Sequence, residues 1–253
     1  QPLLRDGKVL VAGQKRVFLL SESAREEGPA GWVAARADGG RSGNLDQRQG
    51  PITGRILWRK KMSAASQGES RAVIPLGDRI ITFGEHAGGG RLVCLEHTGE
   101  VFDSMDLAAM PAAAVSTGSR LLLMLGEDAV SPGAGELLGL EISGLKIRQA
   151  WRKPVAGAGR GGLCLVAGGV VVAGGDSLLV TDPVDGKTTW ERRDLGQATA
   201  VCPLGRDLLA AHDGLLLLVD ARSGETLREF PGSAGEIASV AASAGVLYIT
   251  RGT

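Results

Sequence analysis

From about residue 70 onward, apolar residues come in short runs separated by pairs or triplets of turn residues. RAVIPL (71–76), DRIITFG (78–84), RLVCLE (91–96) and VFDSMDL (101–107) are four such runs, with HTGE (97–100) between the last two. Runs of this length, bounded by Gly, Pro, Asp and Ser, are expected to be strands rather than helices. The grouping then repeats. AAAVSTGSRLLLMLG, ELLGLEISG and LKIRQAW fill 112–151. LCLVAGGVVVAGG, SLLVTDPVDG and KTTWERR fill 163–193, and AVCPLGRDLLAAH, GLLLLVDARSG and ETLREF fill 200–230. Each group reads as a four-stranded antiparallel meander. GKVLVAG, RVFLLSE and ITGRILWRK form an earlier group, with PLL as its first strand, and 237–253 supplies the first and second strands of another.

A glycine marks the same place in every complete group: Gly54, Gly99, Gly144, Gly186 and Gly224, at intervals of 45, 45, 42 and 38 residues. Strand-rich repeats of about 40–50 residues predict an all-β chain folded as a β-propeller, in which radial repetition of four-stranded blades limits exposed edges. The expectation is one propeller domain or part of one over 1–253, with about five complete blades and a half blade. In the two clearest turns an aspartate, Asp182 or Asp220, stands at the end of the third strand. Its carboxylate is placed to accept backbone N–H groups two residues on, and the glycine four residues later takes the left-handed conformation. Large side chains follow the glycines: Trp58 and Trp190 after four residues, Phe102 after three and Trp151 after seven.

The first group carries an insertion, residues 23–50, rich in Gly, Arg, Ala and Ser. Loops of this length are commonly functional or disordered, and Trp32 is its candidate partner contact. The second strand of 237–253 is predicted to have an open edge. We expect a protein partner or a missing segment of chain to complete a ring of about six to eight blades.

The segments ITGRILW, PVDGKTTW and DARSGETL resemble the tryptophan-docking repeat of the quinoprotein-like (PQQ-like) propellers, roughly Ala-x-Asp-x-x-Thr-Gly-x-x-x-Trp. The resemblance is strong at 50–60, 178–192 and 215–230 and degenerate at 95–103 and 140–151. It implies blades locked together by Trp58 and Trp190 packing on neighbouring peptide planes, with Gly54, Gly99, Gly186, Gly224, Asp182 and Asp220 shaping the turns. The family includes quinone-dependent dehydrogenases, whose site uses a calcium ion held by Glu, Asn and Asp and a disulfide of adjacent cysteines. It also includes non-catalytic scaffolds of outer-membrane β-barrel assembly and extracellular sensor domains. This chain has one asparagine, Asn44, and no adjacent cysteines, so no residue carries over as a PQQ ligand and no cofactor is expected. The resemblance therefore implies a non-catalytic scaffold for protein–protein interaction in the periplasm or cell envelope. The alternative is a fragment of a PQQ dehydrogenase whose active site lies on other blades.

Composition narrows the chemistry further. The 28 basic and 28 acidic residues balance, which argues against nucleic acid as a partner. The longest weakly polar stretch, 161–175, is shorter than the roughly 20 residues of a membrane helix, and Gly168-Gly169 divides it into a hairpin. Cys94, Cys164 and Cys202 each lie inside an apolar run and are expected to be buried free thiols. Gly157, Gly159 and Gly162 match a dinucleotide-binding spacing, but a strand follows where a helix is needed. Gly186-Lys187-Thr188 lacks the earlier glycine of a phosphate loop. His86, His97 and His212 fall at strand ends and are expected to be exposed. Arg59-Lys60-Lys61 and Arg192-Arg193 are expected to be solvated rims.

Overall fold

The runs of apolar residues become strands that bury both faces. In the run 121–125, Leu121 and Leu123 join one apolar cluster and Leu122 and Met124 another. Val171 and Ala173 likewise separate from Val170 and Val172. Successive side chains of a strand point to opposite faces. A strand that is apolar at every position must therefore lie between two neighbours, as the inner strands of stacked sheets do.

The computed structural model describes residues 2–5, 8–13, 16–21, 55–61, 72–76, 78–126, 134–144, 146–156, 162–196, 198–212, 214–230, 237–243 and 246–251. The 23–50 insertion with Trp32, and Gly54, lie outside these. Every described regular element is a strand. Sheet 1 comprises β1 (Pro2–Arg5), β2 (Lys8–Gly13), β3 (Arg16–Ser21) and β4 (Arg55–Lys61). Sheet 2 comprises β5 (Ala72–Leu76), β6 (Arg79–His86), β7 (Gly89–Glu96) and β8 (Val101–Leu107). Sheet 3 comprises β9 (Pro111–Thr117), β10 (Arg120–Leu125), β11 (Ala134–Ser143) and β12 (Lys146–Ala156). Sheet 4 comprises β13 (Gly162–Val166), β14 (Gly169–Gly174), β15 (Ser177–Thr181) and β16 (Thr188–Arg192). Sheet 5 comprises β17 (Ala198–Leu204), β18 (Asp207–His212), β19 (Leu215–Asp220) and β20 (Thr226–Phe230). β21 (Ile237–Ser243) and β22 (Val246–Arg251) form a two-stranded sheet 6.

Within every sheet the strands pair antiparallel and in chain order. This is the meander expected from the turn spacing, and the all-β propeller blade is its architecture. The core is not one cluster but a series of layers between consecutive sheets. Ile74, Ile81 and Leu92 of sheet 2 pack with Leu121, Leu123 and Leu140 of sheet 3. Val115 and Leu122 of sheet 3 pack with Val170 and Leu179 of sheet 4. Cys164 and Val171 of sheet 4 pack with Leu208 and Leu217 of sheet 5, and Cys202 and Leu209 of sheet 5 with Ile237 and Val240 of sheet 6. A fully buried aliphatic side chain contributes about 1.5–3 kcal/mol, so each layer holds its two sheets together.

Candidate functional site: the joints between sheets

The third and fourth strands of each complete sheet slip register by one residue. The shift falls at Leu19/Leu20 in sheet 1, Cys94/Leu95 in sheet 2, Gly139/Leu140 in sheet 3, Val180/Thr181 in sheet 4 and Leu218/Val219 in sheet 5. A bulge of this kind bends the strand and re-aims a side chain. The residues paired at its edge are Trp58, Asp103, Trp151, Trp190 and Arg228. Register, rather than distance from the turn glycine, makes these five positions equivalent.

Among the described side chains, Trp151 and Trp190 reach the next sheet through an indole. Trp190 Nε1 donates to the carbonyl of Ala221 at 3.0 Å. A Cβ on Gly224 would lie 2.8 Å from the Trp190 ring, so only glycine allows the ring to lie flat on this turn. Gly224 also has φ of 78°, a conformation that side chains disfavour. Trp151 repeats the arrangement one sheet earlier. Its Nε1 donates to Pro183 O at 3.2 Å, and a Cβ on Gly186 would lie 2.7 Å from its ring. Behind the Trp151 ring stands Gly139 on the paired strand, where a Cβ would overlap the indole. Trp151 was not among the sequence-predicted docking residues. Its seven-residue offset from Gly144 hid it, although the turn glycine it meets, Gly186, was singled out.

The receiving turns are built as their aspartates suggest. Asp182 Oδ1 accepts the Val184 amide at 2.6 Å, and Asp220 Oδ1 accepts Arg222 N at 2.7 Å and Ser223 N at 2.9 Å. Gly186 N and Gly224 N donate back to the carbonyls of Asp182 and Asp220, each at 2.9 Å. The Ser223 and Arg222 amides hold the Asp220 carboxyl below its usual range. In sheet 2 Glu96 occupies the aspartate position; its carbonyl accepts Gly99 N at 2.9 Å, and Gly99 has φ of 85°. Trp58 lies on β4 opposite Leu19.

A cation two residues beyond each indole adds a second tie. Arg192 Nη1 donates to Gly224 O at 3.1 Å and to Thr226 Oγ1 at 2.7 Å, while Nη2 pairs with Asp194 at 2.6 Å. Lys153 Nζ donates to Thr188 Oγ1 in the same relation one sheet earlier. The expectation that Arg192 and Arg193 are both solvated rim residues therefore holds for Arg193 alone, which is exposed and paired with Glu191. Arg192 is half-buried because it bridges sheets 4 and 5. Its hydrogen bond draws the Asp194 carboxyl down to about 2.

The joint between sheets 2 and 3 is polar. Asp103 Oδ2 accepts the amide of Ile147 at 2.8 Å. Ile147 stands four residues before Trp151, as Gly186 stands four before Trp190, so an Asp–Ile pair replaces a Trp–Gly pair. Arg79 lies over the Phe102 ring, 4.9 Å from its centroid, and donates to Gly144 O.

Other candidates stay dispersed. His86 is half-buried near Asp106, and His97 is exposed. His212 departs from the expectation of exposed histidines: it is buried, and neither ring nitrogen has a hydrogen-bond partner. It stands at the end of β18, between Ala198 of β17 and Leu215 of β19. Cys94, Cys164 and Cys202 are buried and none is in a disulfide, and burial pushes the Cys94 thiol up to about 12. Among the described residues no group of three or more His, Cys, Asp or Glu is arranged to hold a metal ion. No described helix is long and apolar enough to cross a membrane.

A PQQ-repeat family model, described as outer membrane protein assembly factor BamB, matches residues 43–252. The chain belongs to this family. The BamB-family match covers sheets 2 to 6, where the docking indoles and turn glycines lie. No curated protein matches the sequence. Among solved structures, BamB from Moraxella catarrhalis superposes with a TM-score of 0.61 at 15% identity, over 99% of this chain and 66% of that one. The chain thus spans about two thirds of the length of that BamB. A computationally designed protein, Ika8, superposes with a TM-score of 0.61 at 13% identity, covering 96% of this chain and 67% of its own. At these identities the superpositions establish the β-propeller fold and nothing beyond it.

Proposed function

We propose that the chain is a non-catalytic propeller scaffold that holds other proteins together in the cell envelope, on the periplasmic side, as a subunit or segment of a larger assembly. The observation that carries this reading is the BamB-family match across 43–252. The family description names outer membrane protein assembly, and its PQQ repeat survives here as docking indoles and turns. The residues most strongly constrained by structure, Trp151, Trp190, Gly186, Gly224 and Arg192, join sheet to sheet. A rigid frame with variable rim loops is the usual form of a binding platform. In this reading the 23–50 insertion and its Trp32 are a contact loop.

Cell fractionation followed by affinity purification tests it. The expected result is a periplasmic or envelope-bound protein that co-purifies in fixed ratio with other envelope proteins. A cytoplasmic monomer, or a protein that turns over an alcohol or sugar with added PQQ and calcium, would overturn it.

A further inference from the structure

We infer that the tip of the β11–β12 hairpin, with the turn of sheet 4 beside it, is a contact surface for an acidic segment of a partner protein. The inference rests on the scaffold reading and gives it a location and a chemistry. In sheets 4 and 5 the strand ladder stops at the first rung past the bulge, Thr181↔Thr188 or Val219↔Thr226, and a six-residue loop folds back beneath an indole. In sheet 3 the ladder runs three rungs beyond Leu140↔Gln149, through Glu141↔Arg148 and Ile142↔Ile147 to Ser143↔Lys146. Three rungs extend a hairpin by about 10 Å. No described indole lies against its turn: a Cβ on Gly144 would meet nothing within 4 Å.

The tip is cationic. Lys146 and Arg148 are exposed, and neither takes part in an ion pair among the described residues, whereas neighbouring Glu141 is paired with Arg120. The hairpin is also held in place before any partner arrives, because Asp103 holds the Ile147 amide and Arg79 the Gly144 carbonyl. Preorganisation of this kind lowers the ordering cost of binding. Beside it, Trp151 holds Pro183, and the next residue, Val184, is 58% exposed, the highest of the large apolar side chains described. Two exposed cations outside any described ion pair on one turn, and an exposed aliphatic side chain on the turn that the same hairpin holds through Trp151, suit a segment that brings carboxylates and an apolar residue; opposite charge across a rim raises the association rate and selects the partner.

In-cell photocrosslinking with the full chain tests this. A photoreactive residue replaces Val184 in one version and Leu227, an exposed position on β20, in another. We expect a discrete adduct from position 184, with a captured segment in which Asp and Glu outnumber Lys and Arg. Adding Lys146→Glu and Arg148→Glu should reduce that adduct about tenfold, as the loss of close charge pairs does, with an unchanged melting temperature. Reversing the partner's acidic residues to lysine should restore it. A position-184 adduct that survives the charge reversal, or a captured segment that is neutral or basic, would overturn the inference. Adducts at position 227 alone would overturn it and leave the scaffold reading standing. No adduct at either position, together with no co-purifying envelope protein, would remove both.

Discussion

At the residue scale the decisive groups are Trp151, Trp190 and the glycines they cover. Truncating a buried tryptophan typically costs about 3–5 kcal/mol, and for a domain of this size each kcal/mol moves Tm by about 2–4 °C. Both rings are half-buried, so we expect Trp190→Ala and Trp151→Ala each to cost about 3 kcal/mol and to lower Tm by roughly 6–12 °C. A thermal melt with an unchanged Tm would show that these rings do not join sheets. Gly224→Ala should destabilise through the same contact, since it adds a methyl group where the Trp190 ring lies. Cys94 makes a separate prediction. With its thiol pushed up to about 12 by burial, it stays protonated at pH 8, and the thiolate is the reactive form. We expect no alkylation of Cys94 in the native protein at pH 8 and full alkylation in denaturant, read by mass spectrometry.

At the scale of elements, the repeat of strands and turns was legible because turn chemistry is local. Glycine after Thr, Ser or Asp announces a hairpin whatever the rest of the chain does. The joints were only partly legible. Counting four residues from a glycine finds Trp190 but misses Trp151, because sheet 3 lengthens its hairpin by ladder rungs and its glycine moves outward; the side chain of Trp58, which the same count selects, lies outside the described residues. The same count from Gly99 lands on Asp103, as the register does, and not on the large side chain of Phe102 one residue earlier. The Arg192 bridge and the burial of His212 depend on which sheet lies alongside, which no local pattern encodes.

Two predictions belong to this scale. Asp103→Ala leaves the half-buried Ile147 amide without its acceptor, a loss of about 1–3 kcal/mol. Hydrogen exchange at Ile147 should accelerate, whereas Asp103→Asn, which keeps an acceptor oxygen, should largely preserve protection. The second concerns acid. Asp194 has a folded value of about 2, against an ordinary carboxylate near 3.9. Its contribution is therefore fully present above about pH 4 and is lost as pH falls toward 2. Asp194→Asn should flatten the pH dependence of urea stability within that window and leave its shape above pH 5 unchanged. The carboxylate is exposed, so the effect will be small.

At the scale of the whole molecule, apolar layers alternate with sheets along the chain, and no single centre dominates. Stability in such arrays is close to a sum of unit and neighbour terms. The sequence lacks the ligand set of a quinone site, having Asn44 as its one asparagine and no adjacent cysteines. Calorimetric titration with PQQ and calcium should therefore give no binding at micromolar concentrations; a micromolar or tighter Kd would revive the dehydrogenase reading.

The turn of sheet 4, DPVDG, and the turn of sheet 5, DARSG, present the same face to an incoming indole, and Trp151 and Trp190 approach them in the same way. Sheet 4 therefore carries a plug, Trp190, at one side and a matching socket, Gly186, at the other. Units with standard fittings are interchangeable: a second copy of residues 162–196, spliced in directly after the first, would offer Gly186 to the first Trp190 and pass its own Trp190 to Gly224. Gene duplication can lengthen such a chain one unit at a time without refitting any existing connection. The Asp103–Ile147 fitting is keyed differently and accepts no such substitute, so sheets 2 and 3 must be inherited together.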